Sequence, residues 1–314
     1  MTLPNFIFRD RENYETYVNH LDGILYSYSE NDVVLFFNEP IFLFINYILG
    51  VFFTGEQVVY LFVFFIVTSV FFLLRKYSSN LLMFILGLCA FLVISYTFHF
   101  QFVILRQALA TLLILYSIIY IKSKRNIFLI SLAACFIHSS MFALLLIISI
   151  NFIFKDKSFN FRCLIISFIF GFFGFFVLKI AELFGIRQAQ YLLEFDYTPG
   201  GGAFLLWLGV LLYLLYYYRG FKDNIYEYGV LGLVAFISLY FINPIAGRLM
   251  CSFVPIILLI LIRNFNFGNI FILLTLIIVY VILIFNGVLV ENSLLVNGDV
   301  FFKYISQTFP LKEF

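Results

Sequence analysis

What most constrains this chain is a succession of apolar runs, each close to the thickness of a bilayer, joined by short loops that hold most of its basic residues. A hydrocarbon core about 30 Å thick needs roughly 20 apolar residues as helix. Runs near that length occupy 57–74, 80–98, 102–121, 161–181, 203–218, 225–242, 245–262 and 267–286. Soluble domains are about 45–50% apolar and roughly 25% charged; here the figures are 64% and 11%, with a mean hydropathy of +1.06. Surface grows too fast relative to volume for a water-soluble fold to hide so much Phe, Leu and Ile. The expectation is an all-α, polytopic transmembrane helix bundle of about 8–10 spans plus re-entrant or interfacial helices. Residues 1–314 read as a single transmembrane domain.

Two stretches depart from simple spanning. Residues 41–53 run for only 13 positions behind Asn38-Glu39-Pro40 and contain Asn46, which suits an interfacial or re-entrant helix. Residues 127–154 are too long for one span and are broken by His138-Ser139-Ser140. The basic loops then give orientation. They are Arg75 and Lys76; Lys122, Lys124 and Arg125; Lys155, Lys157 and Arg162; Arg219 and Lys222; and Arg263. All five clusters reach the cytoplasm only if 127–154 enters and returns as a helical hairpin with its tip near His138. The outer face then carries the polar segment 1–40, the 99–101 turn, the loop 182–202, the Asn243-Pro244 turn and the tail 287–314.

Composition also excludes. The formal charge is +2, with no basic tract for nucleic acid and no acidic tail. Cys89, Cys135, Cys163 and Cys251 each sit in an apolar run without CxxC spacing, and read as small buried hydrophobes rather than metal ligands or disulfides. Residues 1–35 do not read as a cleavable signal peptide, since Arg9, Asp10, Arg11, Glu12 and Glu15 form a charged arm before the first apolar run.

Ionisable groups inside spans are costly and usually functional. Arg106, four residues into its run, and Arg248, equally shallow in Asn243-Pro244-Ile245-Ala246-Gly247-Arg248, both lie about 6 Å below the outer boundary. A guanidinium grips phosphate in a bidentate way, so two at one level, with polar Gln107 beside them, suit a pyrophosphate. The plainer reading is that each snorkels to headgroups. His138 suits a general base for a sugar hydroxyl, or else is a helix-breaking histidine that hydrogen-bonds its hairpin neighbours. Lys179 and Glu182 are explained by snorkelling or an i,i+3 pair. In the outer loop, Arg187, Tyr191 and Tyr197 are candidates for contact with carbohydrate.

At these residues the chain resembles the EpsG/Wzy family of bacterial O-antigen and exopolysaccharide polymerases. Asp10-Arg11-Glu12-Asn13-Tyr14-Glu15-Thr16-Tyr17 is similar to D-x-x-N-Y-x-x-Y, followed by Asn38-Glu39-Pro40. Arg106-Gln107-Ala108-Leu109-Ala110 matches R-Q-x-x-A, Phe136-Ile137-His138-Ser139-Ser140 resembles F-H-x-S-A, and 243–248 resembles the late arginine-bearing turn. Each piece is short; their order across residues 10–250 carries the resemblance. It implies a GT-C-like glycosyltransferase at the periplasmic face of the bacterial inner membrane. Such an enzyme passes a glycan from undecaprenyl pyrophosphate to a lipid-linked repeat unit, with a flippase and a chain-length regulator as potential partners and with no metal or other cofactor. Arg106, Gln107, Arg248, Asn243, Tyr14, Arg187 and Tyr191 would bind substrate. His138, Asp10 or Glu39 would take the acceptor proton. Two other classes compete. A flippase of lipid-linked sugars would show paired repeats and midplane polar groups; an acyltransferase would modify the glycan without extending it.

Overall fold

A computed structural model describes residues 5, 8, 10–29, 39–176, 200–217 and 223–286. The described residues form 14 helices and no strand. In chain order they are α1 (Arg11–Asn19), α2 (Leu21–Ser29), α3 (Pro40–Gly50), α4 (Gly55–Tyr77), α5 (Leu81–Val93), α6 (Ser95–Phe102) and α7 (Leu105–Tyr120). There follow α8 (Lys124–Cys135), α9 (Met141–Ile153), α10 (Phe159–Gly174), α11 (Gly201–Tyr217), α12 (Asn224–Leu239), α13 (Ile245–Ile262) and α14 (Phe267–Phe285).

Among the described residues each apolar run contains a helix, but fewer of these helices are full length than the runs suggested. Among the described residues only α4, α13 and α14 are long and apolar enough to cross a membrane alone. At 23 residues α4 extends about 35 Å. Its start is set by a capping box, with Thr54 and Gln57 exchanging side chain-to-backbone bonds. The run 80–98 is not one straight span: α5 and α6 meet at Ile94 with a bend of 77°. The cause is local. Ile94 is extended, and the carbonyls released at the break are taken by side chains, Thr97 Oγ1 donating to Ile94 O at 2.9 Å and Gln101 Nε2 to Phe91 O at 2.8 Å. The expected 99–101 turn is therefore the last part of α6.

The broken stretch 127–154 is an antiparallel hairpin. Lys124, which opens α8, lies 5.7 Å from the ring centre of Phe152, near the end of α9. Its arms of 12 and 13 residues reach about 18–20 Å, well short of a full crossing. α3 is likewise short, burying Phe42, Leu43 and Asn46 while exposing Phe44 and Tyr47.

One end of the bundle gathers the basic loops. Lys76 Nζ sits 4.0 Å over the Tyr120 ring, so α4 and α7 end together. The Ser79 amide donates to Ile262 O at 3.1 Å, which brings the end of α13 to the same place. Arg263 pairs there with Asp223 at the start of α12. Arg162 alters the sequence expectation, because it is not a free loop charge. Its guanidinium, 5% exposed, grips Glu227 of α12 through two bonds of 3.0 and 3.1 Å and also bonds Asn151 of α9. Arg219 and Lys222 lie outside the described residues. Among the cysteines, Cys135 and Cys251 are buried as expected, whereas Cys89 is exposed on α5.

The tightest helix contact is α12 on α13, made possible by glycine. A Cβ at Gly232 would sit 2.1 Å from the Phe253 ring, and one at Gly229 would sit 2.6 Å from Ile260 Cδ1. A ring wedged in a full core cannot step aside cheaply. Gly232→Ala should therefore cost about 1–3 kcal/mol of overpacking. Chemical unfolding in lipid nanodiscs would read the loss; a variant as stable as the parent would mean that the two helices separate easily.

Candidate functional site

At the end opposite the basic loops, three residues distant in sequence meet in one buried cluster. Glu39 precedes α3, Arg106 lies in the first turn of α7, and His138 sits at the tip of the α8–α9 hairpin. One oxygen of Glu39 pairs with Arg106 Nη1. The other lies 2.9 Å from His138 Nδ1 and accepts the Ser139 amide at 3.3 Å. Glu39 is 5% exposed and His138 6%. The hairpin tip is fastened to α3 by a further bond, Ile41 N to Phe136 O at 3.1 Å.

The backbone supports this arrangement at a cost. Glu39 adopts φ 63°, ψ 53°, left-handed geometry that non-glycine residues avoid. Such strain costs about 1–3 kcal/mol and persists where surrounding contacts over-determine it. Burial works to raise the Glu39 carboxyl, but the Arg106 guanidinium and His138 outweigh it and hold the group at about 2, well below the usual carboxylate range. A depressed carboxyl stays charged above that value, so Glu39 is an anion throughout the physiological pH range.

Aromatic rings enclose Arg106. Tyr14 and Tyr17, three residues apart on one face of α1, and Phe42 of α3 place their ring centres 5.4, 5.1 and 5.6 Å from the guanidinium carbon. Nη1 also donates to Tyr17 Oη at 3.2 Å. Arg106 Nε is buried without a hydrogen-bond partner. The sequence motifs single out Tyr14 as a binding residue and leave Tyr17 and Phe42 without a role, although the i,i+3 spacing of the two tyrosines is a signal for both. Burial pushes the Tyr14 hydroxyl up to about 12, so it remains protonated.

Gln107 ties this cluster to the second arginine. Its Nε2 donates to Arg248 O at 2.6 Å and to Ser252 Oγ at 2.8 Å, and Thr111 Oγ1 reaches the same Ser252 hydroxyl at 2.9 Å. The first turns of α7 and α13 therefore stand side by side. The two arginines differ in state. Arg106 already holds an internal anion; Arg248 is exposed and makes no side-chain hydrogen bond or ion pair among the described residues. A Cβ at the adjoining Gly247 would meet nothing within 4 Å, so the space beside Arg248 is open.

Other sequence candidates fall differently. Asn243 is buried with both ends of its amide engaged, donating to Gly174 O at 2.8 Å and accepting from Ile245 N at 2.9 Å, so it shapes the turn before α13. Asp10 is exposed at the start of α1, with φ 68°, and accepts from Asn13 Nδ2 at 3.4 Å. It stands outside the Glu39 cluster. Arg187, Tyr191 and Tyr197, with Lys179, Glu182 and the tail 287–314, lie outside the described residues. Among the described residues no group of three or more His, Cys, Asp or Glu is placed to hold a metal ion.

The cluster thus offers a histidine beside an ionised carboxylate, an arginine caged by aromatic rings, and a second arginine on the adjoining turn, exposed and unpaired among the described residues. The sequence model of the EpsG family matches residues 6–306. No curated protein and no solved structure matches the chain.

Proposed function

The chain belongs to the EpsG family, and from that premise we propose that this membrane protein is a polysaccharide polymerase acting on lipid-linked glycans. In this reading a growing glycan leaves undecaprenyl pyrophosphate and joins a hydroxyl of the next lipid-linked repeat unit. The anomeric carbon–oxygen bond to phosphate breaks, a glycosidic bond forms, and the hydroxyl proton passes to His138. Arg248 holds the departing pyrophosphate, helped by the positive N-terminal end of α13 and, at longer range, by the positive charge of Arg106. Stabilising the leaving group's growing charge lowers the barrier directly. The energy lies in the pyrophosphate linkage.

The observation that carries the reading is the meeting of Glu39, Arg106 and His138 beside the Arg248 turn, at the end of the bundle away from every described basic loop. Short loops rich in Lys and Arg face the cytoplasm, so the cluster takes the periplasmic side of a multi-pass protein in the inner membrane. Chemistry gathered at one face favours a transferase over a carrier, whose polar groups belong near the midplane.

Arg248→Ala supplies the test. Losing one pre-placed cation of this kind costs about 10²–10³-fold in rate. In a deletion strain carrying the variant, the ladder of surface polysaccharide should collapse towards single repeat units. Normal polymer length and yield from both Arg248→Ala and Arg106→Ala would overturn the proposal, and full-length chains lacking acyl groups would point to an acyltransferase.

A further inference from the structure

The sequence left three candidates for the acceptor's base, His138, Asp10 and Glu39. The geometry points to a division of labour: we infer that Glu39 is a positioning residue, which locks His138 as the Nδ1–H tautomer and leaves Nε2 to take the proton. The inference rests on the polymerase reading for its chemistry, but the tautomer itself is a property of the protein alone.

The reasoning starts from the 2.9 Å between His138 Nδ1 and Glu39 Oε1. Two bare acceptors do not approach so closely, so one atom carries a proton. The carboxyl does not, because Arg106 occupies its other oxygen and the Ser139 amide shares the first. The proton is therefore on Nδ1. The Ser140 amide also points its N–H at the same nitrogen at 3.4 Å, but that contact is half an ångström longer than the one to the ionised carboxylate, which outcompetes it. In the neutral imidazole the remaining nitrogen, Nε2, holds the free lone pair. Among the described residues no hydrogen bond engages it. When Nε2 accepts the hydroxyl proton, the imidazolium that forms stays against an anion already in place. Glu39 is unsuited to be the base itself. Both its oxygens are committed, and a carboxylate held so far down the pH scale is a poor proton acceptor. Asp10 is exposed and outside the cluster.

A single carboxylate thus serves both partners, orienting the base and fixing one edge of Arg106. It follows that Glu39→Gln does more than remove a charge. The amide has one acceptor and one donor end. Arg106 can only donate, so the amide oxygen turns to Arg106 and the NH2 group turns to Nδ1. Nδ1 becomes an acceptor, the proton moves to Nε2, and the base is blocked. The corresponding amide substitution in serine hydrolases, where it yields the wrong tautomer, lowers turnover about 10⁴-fold. Glu39→Asp keeps both acceptors on a shorter arm and should restore part of the rate.

The experiment uses the full chain in lipid nanodiscs with ¹⁵N-labelled imidazoles. The sequence holds 3 histidines, and His138→Gln identifies the signal of interest. Expected are an Nδ1–H tautomer in the parent, an Nε2–H tautomer in Glu39→Gln, and a turnover loss of at least about 10²-fold in Glu39→Gln with little change in KM, partly recovered by Glu39→Asp. An Nε2–H tautomer in the parent would overturn the inference, as would a Gln variant that keeps both tautomer and turnover. If Glu39→Gln does not fold, the parent tautomer and the rate of Glu39→Asp decide. Should the parent extend no lipid-linked glycan at all, the polymerase reading fails, and with it the catalytic role given to Nε2; the spectrum would still judge the lock.

Discussion

Glu227→Leu is expected to lower stability by about 3–5 kcal/mol, and Arg162→Leu by a similar amount, although neither residue lies near the candidate site. The reason is the cost of a stranded charge. Arg162 and Glu227 are 5% and 8% exposed, and their two-bond pairing, with Asn151 bonded to both, satisfies charges that solvent does not reach. Removing one partner leaves the other buried and uncompensated, which costs about 3–5 kcal/mol; replacing both with apolar side chains is often neutral or stabilising. The double variant Arg162→Leu/Glu227→Leu should therefore recover most of the loss. Unfolding in nanodiscs, followed for both single variants and the double, gives the coupling energy directly. Single variants within about 0.5 kcal/mol of the parent would show that water reaches the pair. Three helices, α9, α10 and α12, converge on this cluster, so it also fixes the hairpin arm that carries His138 at its far tip.

Arg106→Ala should produce the second large effect, on two readouts at once. With the guanidinium gone, Glu39 loses its cationic partner in a buried setting, and stability should fall by about 3–5 kcal/mol. Polymer formation should fall by about 10²-fold or more, because both the leaving-group charge and the orientation of the base depend on the same side chain. Arg106→Lys separates the two contributions. An ammonium keeps the charge opposite Glu39 but not the planar fork that lies among Tyr14, Tyr17 and Phe42. It should retain most of the stability and lose much of the activity. Lysine activity equal to the parent would show that only a point charge is required there.

Several elements are legible in the amino-acid sequence alone. The short helix α3 follows from Pro40 and the brief apolar run behind it, and the break at 136–140 follows from the length of 127–154 and the polarity of His138-Ser139-Ser140. The bend at Ile94 is not legible there. Residues 80–98 are apolar enough to read as one run, and what makes a sharp turn possible is Thr97 and Gln101 reaching back to the carbonyls it frees. Nor can Arg162 be told from an ordinary loop cation, since its partner Glu227 is 65 residues away.

The candidate site divides in the same manner. Arg106, Arg248, His138 and Glu39 are individually visible, because a charge beside an apolar run is conspicuous against the cost of placing it in lipid. Their relations are not. The expectation of two equivalent arginines gives way to one that is neutralised and caged and one that is open, a distinction created by Glu39 arriving from a different segment. What the sequence determined by itself was the helical architecture, the membrane as solvent and the list of costly residues, since these depend on local composition and spacing. Which of those residues meet, which anion offsets which cation, and which nitrogen of His138 carries the proton were decided only by tertiary structure. Electrostatic pairing acts through space over a few ångströms, and chain separations of 67 and 100 residues hold no record of it.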